Sequence, residues 1–224
     1  MNPIEAIEYP LFATSIFYMK LPSYGIFNQQ FTNFIYELKE KDPEGNKRSN
    51  YGGWHSPTLN FKEEIVETFC RKLDPILINL GNNLGWDMKN YFLGFNEVWS
   101  IINGKRDFNV PHRHGNSILS LAYYVKFPEN GGDIYFIDPR VAGIPRKPLM
   151  KKRNNELLGK THNIDKMAME PSEGTLILFP GWLEHGVYPS ESDEDRIVIS
   201  ANINFWPTSE KNKTGVIHSA NLYT

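Results

Sequence analysis

The sequence predicts an α+β domain, mainly β, in which helices cover one face of an antiparallel β-sandwich or barrel. Three observations predict it. Apolar residues at helical spacing are confined to the region between Asn28 and Leu84. From Tyr91 to Phe205 the apolar segments are short, rich in β-branched and aromatic residues, and separated by Gly, Pro, Asn and Asp. The chain has 224 residues, enough for one domain that buries roughly 70% of its unfolded surface and too few for a comfortable second one.

In order, Tyr9 to Lys20 follows the aromatic and β-branched pattern of a strand. Phe31, Phe34, Ile35 and Leu38 fall on one side of a helix over Asn28 to Glu40, which the loop Asp42 to Asn50 ends. Ile65, Phe69, Leu73, Ile76, Leu77 and Leu80 mark a second helical stretch, Phe61 to Leu84. Pro75 predicts a kink in it or a break into two helices, and Gly81 and Gly85 are candidate stops. Strands are expected at Tyr91–Ile102, Ile118–Phe127, Gly132–Ile137, Thr175–Phe179 and Arg196–Phe205. The expected organisation is one domain over residues 1–224: a helical support region at 1–90, a β core at 91–207 and a tail at 208–224.

The charges nearly cancel, with 24 Lys+Arg against 26 Asp+Glu, a net −2 and a pI near 6.3. That balance gives no electrostatic case for nucleic acid or an anionic membrane. The lone Cys70 excludes an intrachain disulfide and a cysteine-based zinc site. No run reaches bilayer length, and Met1 to Glu8 lacks the features of a signal peptide, so the expectation is a cytoplasmic protein. Oligomeric state is not legible.

His112 and His114, at i and i+2 on an extended segment, project to one side of the chain, so both imidazoles can meet one metal ion. Alone, such a pair is as readily two surface residues. His185, after the apolar run Thr175–Phe179 and a turn, is the natural third donor. Neutral imidazoles suit Fe, Zn, Cu or Ni, and three ligands on one face leave coordination positions open. His55, His162 and His218 stand outside this constellation and are expected at the surface or as satisfied polar groups.

Several segments together resemble the 2-oxoglutarate- and Fe(II)-dependent oxygenases, in particular a prolyl-hydroxylase-like branch of bacterial and phage proteins. They are Trp99–Asn103, His112-x-His114, Leu119–Lys126, Gly131–Arg140, Gly174–Val187 and Arg196–Asn204. The resemblance implies a double-stranded β-helix, or jelly-roll, with iron at its mouth, and a hydroxylase that uses 2-oxoglutarate and O2. His112 and His185 match the family's two histidines. His114 stands where the wider family has Asp, which leaves the site with one more positive charge; Asp133 or Asp138 is the alternative third ligand. Arg196 matches the arginine that holds the far carboxylate of 2-oxoglutarate, a role that suits a forked guanidinium. Tyr124 and Ser200 match a tyrosine and a hydroxyl residue that assist it.

Each assignment has a plainer counterpart. Arg196 follows Asp193, Glu194 and Asp195 and reads otherwise as an ion-paired surface residue; Tyr124 and Ser200 read otherwise as packing. Trp99, Phe179, Trp182 and Phe205 are expected in the core or at the rim. Asn103, Asn202 and Asn204 sit at inward positions, where a buried amide needs a partner and a polar ligand is one. Trp54 and His55 belong either to an exposed Gly-rich turn or to a wall of the cleft, and the basic run Arg146–Arg153 either to a solvated loop or to an anion-attracting lid. Two alternatives to the oxygenase remain: a three-His dioxygenase without 2-oxoglutarate, against which Arg196 stands, and a non-catalytic jelly-roll module. The substrate, small molecule or peptidyl, is not specified.

Overall fold

The computed structural model describes residues 12–140 and 164–210. Two helices, α1 (Tyr24–Lys41) and α2 (Glu64–Asn83), precede most of the strands. The strands are β1 (Phe17–Lys20), β2 (Asn50–Tyr51), β3 (Trp54–His55), β4 (Tyr91–Asn103), β5 (Phe108–His112), β6 (Leu119–Lys126), β7 (Ile134–Ile137), β8 (Lys166–Met169), β9 (Thr175–Pro180), β10 (His185–Val187) and β11 (Arg196–Pro207). They form a six-stranded sheet in the order β1-β9-β6-β11-β4-β3 and a five-stranded sheet in the order β2-β5-β10-β7-β8, with every pair antiparallel. This is the double-stranded β-helix arrangement that the sequence predicts.

Alternation on the six-stranded sheet decides what each face does. On β11, Ile197, Ile199, Ala201 and Ile203 are fully buried against the helices, together with Phe31 and Ile35 of α1 and Val66, Phe69, Leu73 and Leu77 of α2. The intervening Arg196, Val198, Ser200 and Asn202 face a cavity between the sheets. A second apolar cluster, with Ala122, Tyr124, Ile134, Phe136, Phe179 and Leu183, fills the inter-sheet space behind that cavity. Asn28 fastens α1 to β6: its amide donates to the Val125 carbonyl (2.9 Å) and its oxygen accepts from the Tyr123 hydroxyl (2.6 Å).

Four differences from expectation have local causes. The helix does not break at Pro75: α2 runs on through it, held by its long buried face. Gly81 is not a stop: it lies inside α2, where an added Cβ would meet the Met88 sulfur at 2.4 Å. Gly85 is the stop, with φ +72°, and the amides of Gly85 and Trp86 return to the Asn82 and Gly81 carbonyls (3.1 and 2.9 Å), a Schellman closure. Among the described residues the first strand is Phe17–Lys20, residues 9–11 of the expected strand lying outside them, and β2, β3, β8 and β10 are two to four residues long, too short to show an alternation. The run Arg146–Arg153 and the residues His162 and His218 lie outside the described residues. Among the described residues, no helix is long and apolar enough to cross a membrane.

Candidate metal centre

β5 and β10 are neighbours in the smaller sheet, and their register sets His185 directly opposite His112. His114 lies just beyond β5, where its amide donates to the Gly181 carbonyl at 2.8 Å, tying it to the turn that precedes His185. The three rings converge, with centroids 4.4 Å (His112–His185), 5.0 Å (His112–His114) and 5.2 Å (His114–His185) apart. One donor atom from each lies within 4.8 Å of the others.

Their protonation suits ligation. Nδ1 of His112 contacts the Val110 carbonyl (2.8 Å) and Nδ1 of His185 the Leu183 carbonyl (2.9 Å). A carbonyl only accepts, so Nδ1 carries the proton and Nε2 keeps a free lone pair. Burial lowers all three pKa values, that of His114 to about 4 and that of His185 to about 3, so at neutral pH the rings are uncharged. Asp133 and Asp138 are not in the cluster: Asp138 takes both prongs of Arg140 (2.9 Å each), and neither residue lines the cavity.

The histidines open into a cavity of about 760 Å3. Arg196 and Asn103, directly paired across β11 and β4, stand at one end, each about 1% exposed. Nη1 of Arg196 donates to the Gly131 and Gly132 carbonyls, whereas Nη2 is buried without a partner. Gly132, with φ +87°, permits that approach: an added Cβ would lie 2.7 Å from Nη1. The plainer reading of Arg196 as a surface ion pair therefore fails. Burial depresses its pKa, while Tyr124, Asp107 and Asp133 oppose the shift. A buried, half-satisfied cation is expensive unless an anion completes it. Both side-chain polar atoms of Asn103 are likewise buried and unpartnered. Tyr124, fully buried, lines the same cavity, and Ser200 lies four residues further along the cavity face of β11.

Of the two places expected for His55, surface or satisfied polar group, the structure gives the second: its Nδ1 meets the Ser56 carbonyl at 2.7 Å. His55 is 8% exposed, lines the cavity and stacks on Trp99 (5.9 Å between centroids, planes 9° apart), which in turn lies against His114 (5.6 Å). Trp54 is buried too, but in the core under the helices and not at the cavity, so the cleft-wall reading holds for His55 alone. Trp182 is half exposed, whereas Phe179 is buried and packs on His185 (4.5 Å). Asn202 and Asn204 find protein partners: Asn202 accepts from Ser120 (3.0 Å), and Asn204 accepts from the Ile118 amide (2.9 Å) and donates to the Asn116 carbonyl (2.6 Å).

Residues 97–202, which contain all three histidines and Arg196, match a protein-family model described as "Putative 2OG-Fe(II) oxygenase". The segment that carries the candidate site is therefore similar to the 2OG-Fe(II) oxygenases. No curated protein sequence matches it. Among solved structures the fold is similar to that of a Pseudomonas putida prolyl-4-hydroxylase (TM-score 0.59, 11% identity, covering 85% of this chain and 92% of that one). It is also similar to a Trichoplax adhaerens prolyl hydroxylase in complex with a hypoxia inducible factor peptide (TM-score 0.56, 12% identity, 88% and 84% covered). A third is HygX from Streptomyces hygroscopicus with nickel and 2-oxoglutarate bound (TM-score 0.54, 13% identity, 85% and 83% covered). At these identities the likeness establishes the fold.

Proposed function

We propose that this protein is a non-haem Fe(II)- and 2-oxoglutarate-dependent hydroxylase in which His112, His114 and His185 hold the metal and Arg196 anchors the cosubstrate. The observation that carries the reading is one cavity containing both three neutral imidazoles with converging donors and a buried guanidinium with an unused prong. Bound iron supplies the O2 chemistry that couples decarboxylation of 2-oxoglutarate to hydroxylation of a substrate C–H bond. The chain's own work is binding, orientation and exclusion of water.

Nη2 of Arg196 takes one oxygen of the far carboxylate of 2-oxoglutarate, and the Tyr124 hydroxyl and Asn103 amide are placed to take the rest. The apolar rung above them, Val198 opposite Ile101, surrounds the methylene chain. Ser200 stands four strand residues from Arg196, about 13 Å along the backbone. It therefore serves the metal-bound end of the cosubstrate, and Tyr124 the far end. Neutral His114 in place of a carboxylate leaves the metal more positive, which favours a dianionic chelator. HygX, solved with nickel and 2-oxoglutarate, shares the fold and supports the reading. Arg196 also argues against a three-His dioxygenase that needs no keto acid, because that reading leaves its buried charge uncompensated. Localisation in the cytoplasm and a single domain over residues 1–224 belong to the same proposal.

The test is succinate formation. With Fe(II), ascorbate, O2 and 2-oxoglutarate, the protein is expected to release succinate slowly even without its primary substrate. His185→Ala is expected to lower the rate and the iron affinity at least about 100-fold, since even outer partners of metal ligands are worth about 10- to 100-fold. A His185→Ala protein that keeps stoichiometric iron and full succinate output would refute the ligand assignment.

A further inference from the structure

The cavity has a second end. Along β11 the inward rungs run Arg196, Val198, Ser200, Asn202, and opposite them on β4 stand Asn103, Ile101, Trp99 and Glu97. Trp99 touches His114, so the Asn202–Glu97 rung lies beyond the imidazoles, on the side away from Arg196. At that rung β4 carries a bulge: Asn202 pairs with Glu97 and Ile203 with Phe95, so Asn96 has no partner residue. The apolar phase of β4 shifts there, with Leu93 and Phe95 but then Val98 and Ile102 packed on the helix side. A bulge re-aims side chains, and here it turns two consecutive residues, Asn96 and Glu97, into the cavity.

What they present is hydrogen-bond acceptors. Asn96 Oδ1 is buried with no partner. Glu97 is exposed to the cavity, and Asn202 Nδ2 engages Oε2 at 3.4 Å, leaving Oε1 free; no ion pair reaches Glu97 among the described residues. Glu97 is also the only carboxylate among the described residues that line the cavity. The other charges there are accounted for differently. Arg196 stands at the far end, Arg113 is paired with Glu184 at 2.7 Å, and Arg48 comes from the segment before β2, beside His55.

We propose that Asn96 and Glu97 form the specificity subsite for the primary substrate, and that this substrate carries a protonated amine. An ammonium can donate to the free carboxylate oxygen and to the orphaned amide oxygen, and its charge offsets that of Glu97, which a neutral donor does not and an anion opposes. This assignment rests on the oxygenase reading for the place of the subsite beyond the metal.

The test uses matched probes that differ only in the charge of one nitrogen. Glucosamine is compared with N-acetylglucosamine, and the peptide acetyl-Gly-Lys-Gly-amide with its Nε-acetylated form. Binding is followed by ligand-detected NMR on the zinc-loaded protein with 2-oxoglutarate present. In at least one pair the ammonium member is expected to bind about tenfold or more tighter, the worth of one charge-assisted hydrogen bond; which pair responds tells a free small amine from a peptidyl side chain. Glu97→Gln is expected to abolish that preference and Glu97→Lys to invert it, with 2-oxoglutarate affinity unchanged in both. Equal binding within both pairs, no binding by any probe at 10-millimolar order, or a preference that survives Glu97→Gln overturns the proposal. Loss of 2-oxoglutarate binding by the unaltered protein instead strikes the oxygenase reading, and the Glu97-dependent preference is scored separately from it.

Discussion

The two faces of β11 share one backbone and divide the labour of the molecule. The face toward the helices reads Ile197, Ile199, Ala201, Ile203 and is fully buried in apolar contacts. The face toward the cavity reads Arg196, Val198, Ser200, Asn202, and its polar members are not satisfied internally in the same way: Arg196 keeps an unpartnered nitrogen, while Asn202 is bound. One face thus supplies stability and the other keeps unused hydrogen-bonding capacity for ligands. The strand is rigid because of the first face, and that rigidity holds the second in place.

If the division is real, substitutions on the two faces separate stability from binding. The largest effect is expected from Ile199→Ala, which removes a fully buried side chain between sheet and helices. It should lower unfolding free energy by about 2–5 kcal/mol, measured by urea denaturation, while the folded fraction binds 2-oxoglutarate as before. Arg196→Met is the mirror case. It should cost about tenfold or more in 2-oxoglutarate affinity, the one charge-assisted hydrogen bond from Nη2 at about 1.5–3 kcal/mol. Yet it should leave the unfolding midpoint of the ligand-free protein equal or higher, because an incompletely paired buried charge gives way to an apolar chain of similar reach. Should both substitutions lower stability alike, the two faces are not functionally distinct.

The helix layer contains one exception that sharpens the contrast. Asp74 of α2 is buried and neither carboxylate oxygen has a hydrogen-bond partner. Burial raises its pKa from 3.8 to about 7, against a smaller opposing effect of Arg71. Between those values the unfolded chain has lost the proton and the folded chain keeps it. Stability therefore falls as pH rises from about 4 to about 7 and levels off above. Asp74→Asn should flatten that slope and raise the melting temperature at pH 8, with no change in iron or 2-oxoglutarate binding.

Much of this was legible in the sequence because it depends on short-range periodicity. His112 and His114 announced themselves by their spacing, and β4, β6, β7, β9 and β11 by β-branched and aromatic residues between turn residues, while β5 was read only as an extended segment. Arg196 was reached through the resemblance, by its place on the strand that follows His185. The bulge at Asn96 left a trace as well, in the change of apolar phase between Phe95 and Val98, but a phase shift acquires meaning only once the register with Asn202 is known. Asn103 raised the question of a partner, and only the three-dimensional arrangement shows that it has none. His55 and Trp54 sit in a two-residue strand, where no pattern exists to separate a cleft wall from a turn.

The central claim is that one cavity binds metal and 2-oxoglutarate together. Anaerobic titration of the Fe(II)-loaded protein with 2-oxoglutarate tests it most directly, by following the weak visible charge-transfer absorption of a keto acid chelated to iron. A saturable band that disappears in His185→Ala, and that needs far more 2-oxoglutarate in Arg196→Met, is the predicted result. Stoichiometric iron with no band at any 2-oxoglutarate concentration would contradict the claim.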